Sequence, residues 1–199
     1  MKARQSSKII QKSMIVECPE CDYKLSLVET IKKLPNFGDV LISTLSCKHC
    51  GFRLTDVMPA EFHEPTAFEV KIESEKDMHT KVVRSSSGTI EIPELGVKIQ
   101  PGPRAEGYIT NIEGVLDRIE QVTKLALMQK DADESDESKL ARKEFELIKK
   151  ARNAEIPFRF IIVDPFGNSA LLGPKVKSIK LNQEQIMLLK KETIIYDLT

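Results

Sequence analysis

The sequence predicts a mainly β protein with inserted helices, in which an amino-terminal zinc ribbon precedes a larger β domain. Three observations lead to this fold class. All four cysteines fall in two Cys-x-x-Cys pairs near the amino terminus. Short runs that alternate apolar and polar residues follow, separated by glycine and proline. Helical periodicity then replaces this alternation over about residues 110–154, before strand character returns.

The cysteine pairs CPEC and CKHC predict one structural zinc site. Four thiolates in two tight turns suit tetrahedral Zn²⁺, with 25 residues between the pairs instead of the usual 15–20 or so. Each turn favours a residue that tolerates positive φ after its second cysteine, and Asp22 and Gly51 stand there. Four sulfur ligands close the coordination shell, so the metal has no position for a reactive water. The predicted zinc ligands are Cys18, Cys21, Cys47 and Cys50.

We expect the protein to be cytoplasmic, and in that reducing compartment four cysteines favour a metal site over disulfides. No segment contains the roughly 20 apolar residues of a membrane helix. The basic start, MKARQSSKIIQKS, lacks the apolar stretch of a secretory signal, and residues 1–13 are predicted to be a flexible arm. The predicted ribbon covers residues 14–60 and the predicted β domain residues 61–199.

Within the β domain, alternating residues favour short strands of a sandwich or barrel-like fold. They lie in the segments FEVKI (68–72), TIEI (89–92) and VKI (97–99). IPFRFIIVD (156–164) is apolar on both faces, as in a buried central strand.

Two helices joined by the acidic loop DADESDES form the predicted hairpin insertion. Thr110 and Glu113 are predicted to cap the first helix, whose apolar residues at helical spacing extend as far as Val122. Near the end of the chain, Asn182 and Gln185 are predicted to form the capping box of a last helix.

The sequence contains no nucleophile with an evident base, and we expect no enzymatic activity. Ser169 lies in GNSAL, which lacks the second glycine of a nucleophile elbow. The serines 85–87 are more typical of a loop before a strand than of a phosphate site, and Asp164 before Pro165 is typical of a turn. The histidines His49, His63 and His79 are not expected to bind the metal.

Seven segments follow one another along the chain: CPEC, LPNFGDVLI, CKHCG, RSSSGTIEIPELGVKIQPG, GYITNIEGVL, DPFGNSALL and the final NQEQ segment. In these segments the chain resembles the ZPR-type zinc-finger family, in its archaeal, single-copy form, from about Cys18 to about Tyr196. Asp22 departs from the glycine that many members have at this position, and eukaryotic members carry two copies of the unit. The resemblance depends on the order of these segments, which is the family's order.

This resemblance implies a zinc ribbon followed by a double-stranded β-helix, which is jelly-roll-like, with a helical hairpin inserted. It also implies a protein partner. Eukaryotic members bind translation elongation factor 1-alpha and assist its biogenesis, and a counterpart of that GTPase is the expected partner. Two surfaces are candidates for the contact with a partner. One is the apolar segment of Leu34, Pro35 and Phe37, which lies between the two zinc knuckles, and the other is the helical hairpin.

Two other functions remain open. Zinc ribbons also bind nucleic acid, and Lys32, Lys33, Lys48 and Arg53 could contact phosphates. The 30 basic and 30 acidic residues balance, however, so any such attraction would have to be local. A small-molecule site inside the β domain is the other possibility, since jelly-roll barrels often hold ligands.

Overall fold

The computed structural model describes residues 8–12, 16–34, 38–61, 63–102, 104–129 and 136–192 of the 199-residue chain. An amino-terminal four-stranded sheet is followed by two further sheets, and helices cover part of their core. This architecture confirms the predicted fold class. Over the described ranges, no helix is both long and apolar enough to span a membrane.

The first sheet is antiparallel, in the order β1-β2-β3-β4. Its two central strands have ten residues each and pair from Leu25↔Cys47 at the end near the cysteines to Leu34↔Gly38 at the far end. The strands are β1 (Lys8–Lys12), β2 (Leu25–Leu34), β3 (Gly38–Cys47) and β4 (Arg53–Pro59).

The prediction of a flexible arm over residues 1–13 is wrong for residues 8–12. These residues form β1, which pairs antiparallel with β2 from Lys8↔Ile31 to Lys12↔Leu27. The pairing satisfies backbone groups along the edge of β2 that would otherwise be left open. The rest of the arm lies outside the described residues, and the domain limits at 14–60 and 61–199 stay predictions.

The β domain contains a five-stranded sheet, β12-β5-β10-β7-β8, and a three-stranded sheet, β11-β6-β9, and the described strands pair antiparallel in both. A short 3₁₀ turn, Pro93–Leu95, joins β7 to β8. The elements are, in chain order, β5 (Thr66–Ile72), α1 (Glu75–Met78), β6 (Lys81–Arg84), β7 (Thr89–Ile92), β8 (Val97–Ile99), β9 (Tyr108–Asn111), α2 (Ile112–Gln129), α3 (Asp136–Arg152), β10 (Phe158–Asp164), β11 (Ala170–Leu172), β12 (Lys177–Lys180) and α4 (Gln183–Glu192).

The main core combines residues from both sheets with the inner faces of α2 and α3. Strand β10 lies between β5 and β7, as expected for a central strand. Its residues Phe158, Phe160 and Ile162 are fully buried, whereas the opposite face of the strand is only partly covered. Complete burial of one such side chain contributes about 2–3 kcal/mol, so this strand anchors the domain.

The insertion consists of α2 and α3, which are linked by ion pairs from Arg152 to Asp117 and Glu120. The predicted apolar face of α2 is buried from Ile112 to Ile119. Val122 is instead 67% exposed, because the last turns of α2 extend beyond the core. The spacing of apolar residues in an amphipathic helix does not by itself indicate where the helix stops contacting the hydrophobic core.

The capping predictions have opposite outcomes. Asn111 caps α2 in place of Thr110, since its Oδ1 accepts the Gly114 backbone N–H at 2.9 Å. Thr110 stays in β9 because that strand pairs with β6 as far as Asn111. At α4 the prediction is confirmed: Asn182 Oδ1 accepts the Gln185 N–H at 2.9 Å, and Gln185 Oε1 accepts the Asn182 N–H at 3.0 Å.

The ribbon is joined to the three-stranded sheet of the β domain through strand β4. Val40 and Val57 of the ribbon form a small buried cluster with Val83 of β6. The Gly107 N–H donates to the Thr55 carbonyl at 2.9 Å. Asp56 accepts the Ser86 backbone N–H and the Ser86 hydroxyl, both at 2.7 Å. These contacts fix the ribbon against the β domain.

Gly107→Ala is expected to weaken this joint. An added Cβ would lie 2.4 Å from the Val57 backbone nitrogen and 2.5 Å from Asp56 Oδ1, so β4 must move. We expect the free energy of unfolding to fall by about 2 kcal/mol, as for an overpacked core, in urea titrations followed by circular dichroism. Gly102→Ala is the matched control, because its added Cβ meets nothing within 4 Å and the change should stay within about 0.5 kcal/mol. Equal losses in the two variants would contradict this account of the joint.

Candidate metal centre

The first cysteine pair forms a tight turn around the Cys18 carbonyl. That carbonyl accepts the Asp22 N–H at 2.9 Å and the Cys21 N–H at 3.3 Å, while the Cys18 N–H donates to the Tyr23 carbonyl at 2.8 Å. Asp22 adopts φ 57°, the left-handed conformation expected at this position. The turn places both thiols of this pair on the side that faces the second pair.

The second pair repeats this geometry at the end of β3. The Gly51 N–H donates to the Cys47 carbonyl at 3.1 Å, and the Cys47 N–H donates to the Phe52 carbonyl at 2.8 Å. Gly51 has φ 79°, yet a Cβ placed there would meet nothing within 4 Å. The requirement for glycine is therefore one of backbone conformation and not of space.

Together the two turns place four sulfur atoms within 4.8 Å of one another. Sγ of Cys18 lies 3.5 Å from Sγ of Cys50, and Sγ of Cys21 lies 3.6 Å from Sγ of Cys47. A disulfide needs about 2.05 Å. Four sulfurs about 2.3 Å from one Zn²⁺ stand about 3.8 Å apart at the vertices of a tetrahedron. The cysteines are thus positioned to hold one metal ion.

The electrostatics of the cluster favour a bound cation. The Cys50 backbone N–H is the main cause that lowers the pKa of Cys47 to about 6. A hydrogen bond from the Tyr23 backbone lowers the pKa of Cys21, but burial and the three neighbouring thiols outweigh it and raise this pKa to about 12. Hydrogen bonds between the thiols thus contribute to lowering the pKa of Cys47 and to raising that of Cys21, and a bound cation stabilises thiolates that lie so close together.

No histidine joins the cysteines in the metal-binding group found among the described residues. His49 stacks on Tyr23 instead, with ring centroids 5.4 Å apart and an interplanar angle of 20°. Because Tyr23 follows the first pair and His49 lies within the second, this contact ties the two knuckles together outside the metal shell.

The four basic residues considered for nucleic-acid binding fall into two groups. In the strand register, Lys33 lies opposite Asp39 at the far end of the β2–β3 hairpin, whereas Arg53 lies opposite Ser46 at the cysteine end. Lys32 belongs to the first group and Lys48 to the second. The eight residue steps from Leu25 to Lys33 span about 26 Å of strand, so the four cations do not form one phosphate-binding patch.

Sequence reasoning missed a second polar cluster, in the β domain. The Asp164 carboxylate is completely buried. It accepts the hydroxyls of Ser85 at 2.7 Å, Ser87 at 2.9 Å and Ser169 at 2.6 Å, and also the Phe166 N–H at 2.9 Å. The serine loop and the Asp-Pro turn are 79 residues apart in sequence, so no spacing rule connects them. The only hint was that both segments contributed to the family resemblance.

The same contacts argue against a phosphate site in the serine loop. The backbone N–H groups of Ser85, Ser86 and Ser87 already donate to Ser169 Oγ, Asp56 Oδ1 and Ser85 Oγ respectively, and the Gly88 N–H donates to the Ser85 carbonyl. Arg84 bonds the Gly88 carbonyl at 2.9 Å and is itself buried. The loop is therefore a structural connection, as the sequence favoured.

Comparison with known proteins agrees with both parts of the fold. A family described as the ZPR1 zinc-finger domain matches residues 12–65, and one described as the ZPR1 jelly-roll domain matches residues 76–189. The chain belongs to the ZPR1 family. This membership confirms the resemblance found in the sequence and identifies the metal of the zinc finger as zinc.

Similar family members differ in length. A ZPR1-like protein of Pyrococcus horikoshii, named as uncharacterised, is 47% identical over 188 residues, which cover 92% of this chain and 83% of the relative. One from Methanocaldococcus jannaschii is 42% identical over 185 residues, 92% of each chain. A Schizosaccharomyces pombe protein named zinc finger chaperone zpr1 is 28% identical over 156 residues, 76% of this chain but 33% of that protein. The Pyrococcus and Methanocaldococcus relatives fit the single-copy form, because the match covers most of their length.

Asp164→Asn is expected to destabilise the β domain strongly. The amide keeps one carbonyl oxygen, so at least one hydroxyl loses its charged acceptor in a site without access to water. We expect the free energy of unfolding to fall by about 3 kcal/mol in urea titrations. Glu106→Gln removes the same charge from an exposed side chain and should have almost no effect. An Asp164→Asn protein as stable as the parent would contradict the structural role of this carboxylate.

Proposed function

We propose that this chain is a non-enzymatic, zinc-dependent protein-binding module that engages the counterpart of translation elongation factor 1-alpha in a chaperone or biogenesis role. In this proposal Cys18, Cys21, Cys47 and Cys50 are the ligands of one structural zinc. The proposal includes a cytoplasmic location, where thiols stay reduced and available to the metal.

Family membership and the chemistry of the centre support this role. The S. pombe relative carries the word chaperone in its name. A shell of four sulfurs leaves no metal position for substrate or water. The hydroxyls of Ser85 and Ser169 are buried and donate to Asp164, so neither is presented as a nucleophile.

The observation that carries the proposal is an exposed apolar stripe on α2, formed by Val122, Leu125 and Met128. These side chains are 67%, 61% and 61% exposed, and they recur every third residue on the part of the helix that extends beyond the core. Adjacent apolar side chains left in water on a well-packed protein are typical of protein–protein contacts. The helical hairpin was one of the two surfaces suggested by the sequence. The other, around Pro35 and Phe37, lies outside the described residues.

The nucleic-acid alternative has less support. Its four candidate cations are divided between the two ends of a hairpin, and the whole chain has no net charge. Phosphate binding by a ribbon of this kind would need several cations within reach of neighbouring phosphates.

A binding assay with purified partner tests the proposal. The zinc-loaded chain is immobilised, and the elongation factor 1-alpha counterpart of the same organism is titrated over it by biolayer interferometry. We expect saturable binding that Leu125→Glu weakens at least about tenfold, because a charge replaces an apolar contact. Leu188→Glu on α4 is the matched control, since Leu188 is 60% exposed and the same residue is introduced. Cys47→Ser disrupts the ribbon and should weaken binding, because the ribbon is then no longer held in a fixed orientation against the β domain.

Two results would overturn the proposal in different ways. Absence of binding by the zinc-loaded parent removes the elongation factor as partner. Binding that is reduced equally by Leu125→Glu and Leu188→Glu, or by neither, removes the α2 stripe as the contact surface.

A further inference from the structure

Strand β12 (Lys177–Lys180) lies at one edge of the five-stranded sheet. Within the described ranges, β5 is the single strand that pairs with it, from Lys177↔Glu69 to Lys180↔Thr66. All four residues of β12 are exposed, unlike Ala170 and Leu171 of β11, which are buried. The free side of β12 therefore faces solvent.

The hydrogen bonds of β12 show which of its backbone groups face outward. Leu181 donates its N–H to the Pro65 carbonyl at 3.0 Å, and these two residues continue the register of β12 with β5. Residues of an antiparallel strand turn their N–H and C=O groups alternately towards and away from the neighbouring strand, so Lys177 and Ile179 turn theirs towards β5. Ser178 and Lys180 turn theirs outward, and no described residue bonds to them there. The edge thus offers two donors and two acceptors to an added strand.

The charge near this edge favours an acidic occupant. Residues 175–191, which contain β12 and most of α4, include five lysines and a single acidic residue, Glu184, although the whole chain is balanced. Lys177 lies opposite Glu69 in the register, yet no described carboxylate forms an ion pair with it. Two of the other lysines are paired with carboxylates outside this segment, Lys175 with Asp77 and Lys180 with Glu64.

The side chains of β12 define the occupant further. Ile179 is 58% exposed and shares one face of the strand with Lys177. An added strand would therefore place an apolar side chain beside Ile179 and an acidic one, two positions away, beside Lys177. Pairing with β12 of a second copy would instead bring four lysines onto two adjacent short strands, where like charges are destabilising. Lysines on an edge oppose pairing with neutral strands, and the same charge attracts an acidic one.

We infer that β12 binds an extended, acidic segment of a partner protein, which adds to the five-stranded sheet as a further strand. Ser178 and Lys180 exchange backbone hydrogen bonds with this segment, Ile179 contacts an apolar side chain, and Lys177 selects for an acidic one. The inference goes beyond the proposed function, because it concerns β12 and not the α2 stripe. It also does not depend on the elongation factor as the partner.

A peptide-library selection identifies the preferred occupant. Random heptapeptides displayed on phage are selected on the zinc-loaded chain and counter-selected on Lys177→Glu/Ile179→Glu, whose changes are at exposed positions. We expect the enriched peptides to carry Asp or Glu two positions from an apolar residue. The best peptide, titrated by fluorescence anisotropy, should bind this double variant at least about tenfold more weakly than the parent. Lys124→Glu/Leu125→Glu on α2 is the matched control and should bind like the parent, because it also replaces an exposed lysine and an exposed apolar residue.

Proline substitutions test the backbone contact separately from the side chains. Ser178→Pro removes an N–H that faces outward, so the variant should melt with the parent but bind the peptide at least about tenfold more weakly. Ser178→Ala keeps the N–H and should bind like the parent. Ile179→Pro removes an N–H that bonds to β5 and should lower the melting temperature. A lower melting temperature for Ser178→Pro would contradict the outward direction of its N–H.

Hydrogen exchange tests whether the edge is free before the peptide is added. In the chain alone, the amides of Ser178 and Lys180 should exchange faster than those of Lys177 and Ile179, and the peptide should slow them. Any of four results would overturn the inference: no enrichment of acidic peptides, equal binding by the two double variants, full binding by Ser178→Pro, or protection of the Ser178 amide without peptide.

Other occupants give distinct results. Binding of phosphatidylserine vesicles or of an oligonucleotide that Lys177→Glu/Ile179→Glu abolishes, without peptide enrichment, would mean a lipid surface or a nucleic acid. Self-association that the same variant abolishes would mean a second copy of the chain. Each of these results overturns the inference. Absence of elongation factor binding with intact peptide binding refutes the proposed function alone, whereas the opposite pattern refutes the β12 inference alone.

Discussion

The ribbon depends on the charge balance of four sulfur atoms held within 4.8 Å of one another. Without a cation, four thiolates this close together would repel one another, and hydrogen bonds between the thiols contribute to shifting the pKa values of Cys47 and Cys21 in opposite directions. With a dication, all four thiolates are stabilised, and the binding free energy of such centres, about 10–16 kcal/mol, becomes folding free energy for a unit with little core of its own. The described hydrophobic cluster around the cysteines is correspondingly small.

From the zinc centre, β4 leads directly to the β domain. Its Asp56 accepts two hydrogen bonds from Ser86, and the neighbouring Ser85 and Ser87 donate to the buried Asp164. Three consecutive serines therefore hold two carboxylates, one from each part of the fold. The metal therefore affects more than its own ligands. Strand β4, which the zinc centre holds in place, also fixes the orientation of the ribbon against the jelly roll. Surfaces on the ribbon and on the β domain are then held in a fixed orientation relative to each other when they face a partner.

The features that could be predicted from sequence are local ones. Two Cys-x-x-Cys pairs, the conformation of Asp22 and Gly51, and the reciprocal cap of Asn182 and Gln185 each depend on a few adjacent residues. The features that were missed depend on distant partners. Strand β1 requires β2, Asn111 becomes the cap of α2 because β9 pairs with β6, and the Asp164 cluster joins segments 79 residues apart. Likewise, Val122 is exposed because the core ends below it, which periodicity does not report.

Hydrogen exchange with and without a zinc chelator tests most directly whether the metal holds the ribbon and its joint. On zinc removal, the amides of β2, β3 and β4 should lose protection, together with the N–H groups of Ser86 and Gly107 that donate to the ribbon. The amides of β10 should stay protected, because that strand lies in the separate main core. Ribbon amides that remain protected without zinc, or equal loss of protection in β10, would contradict this account.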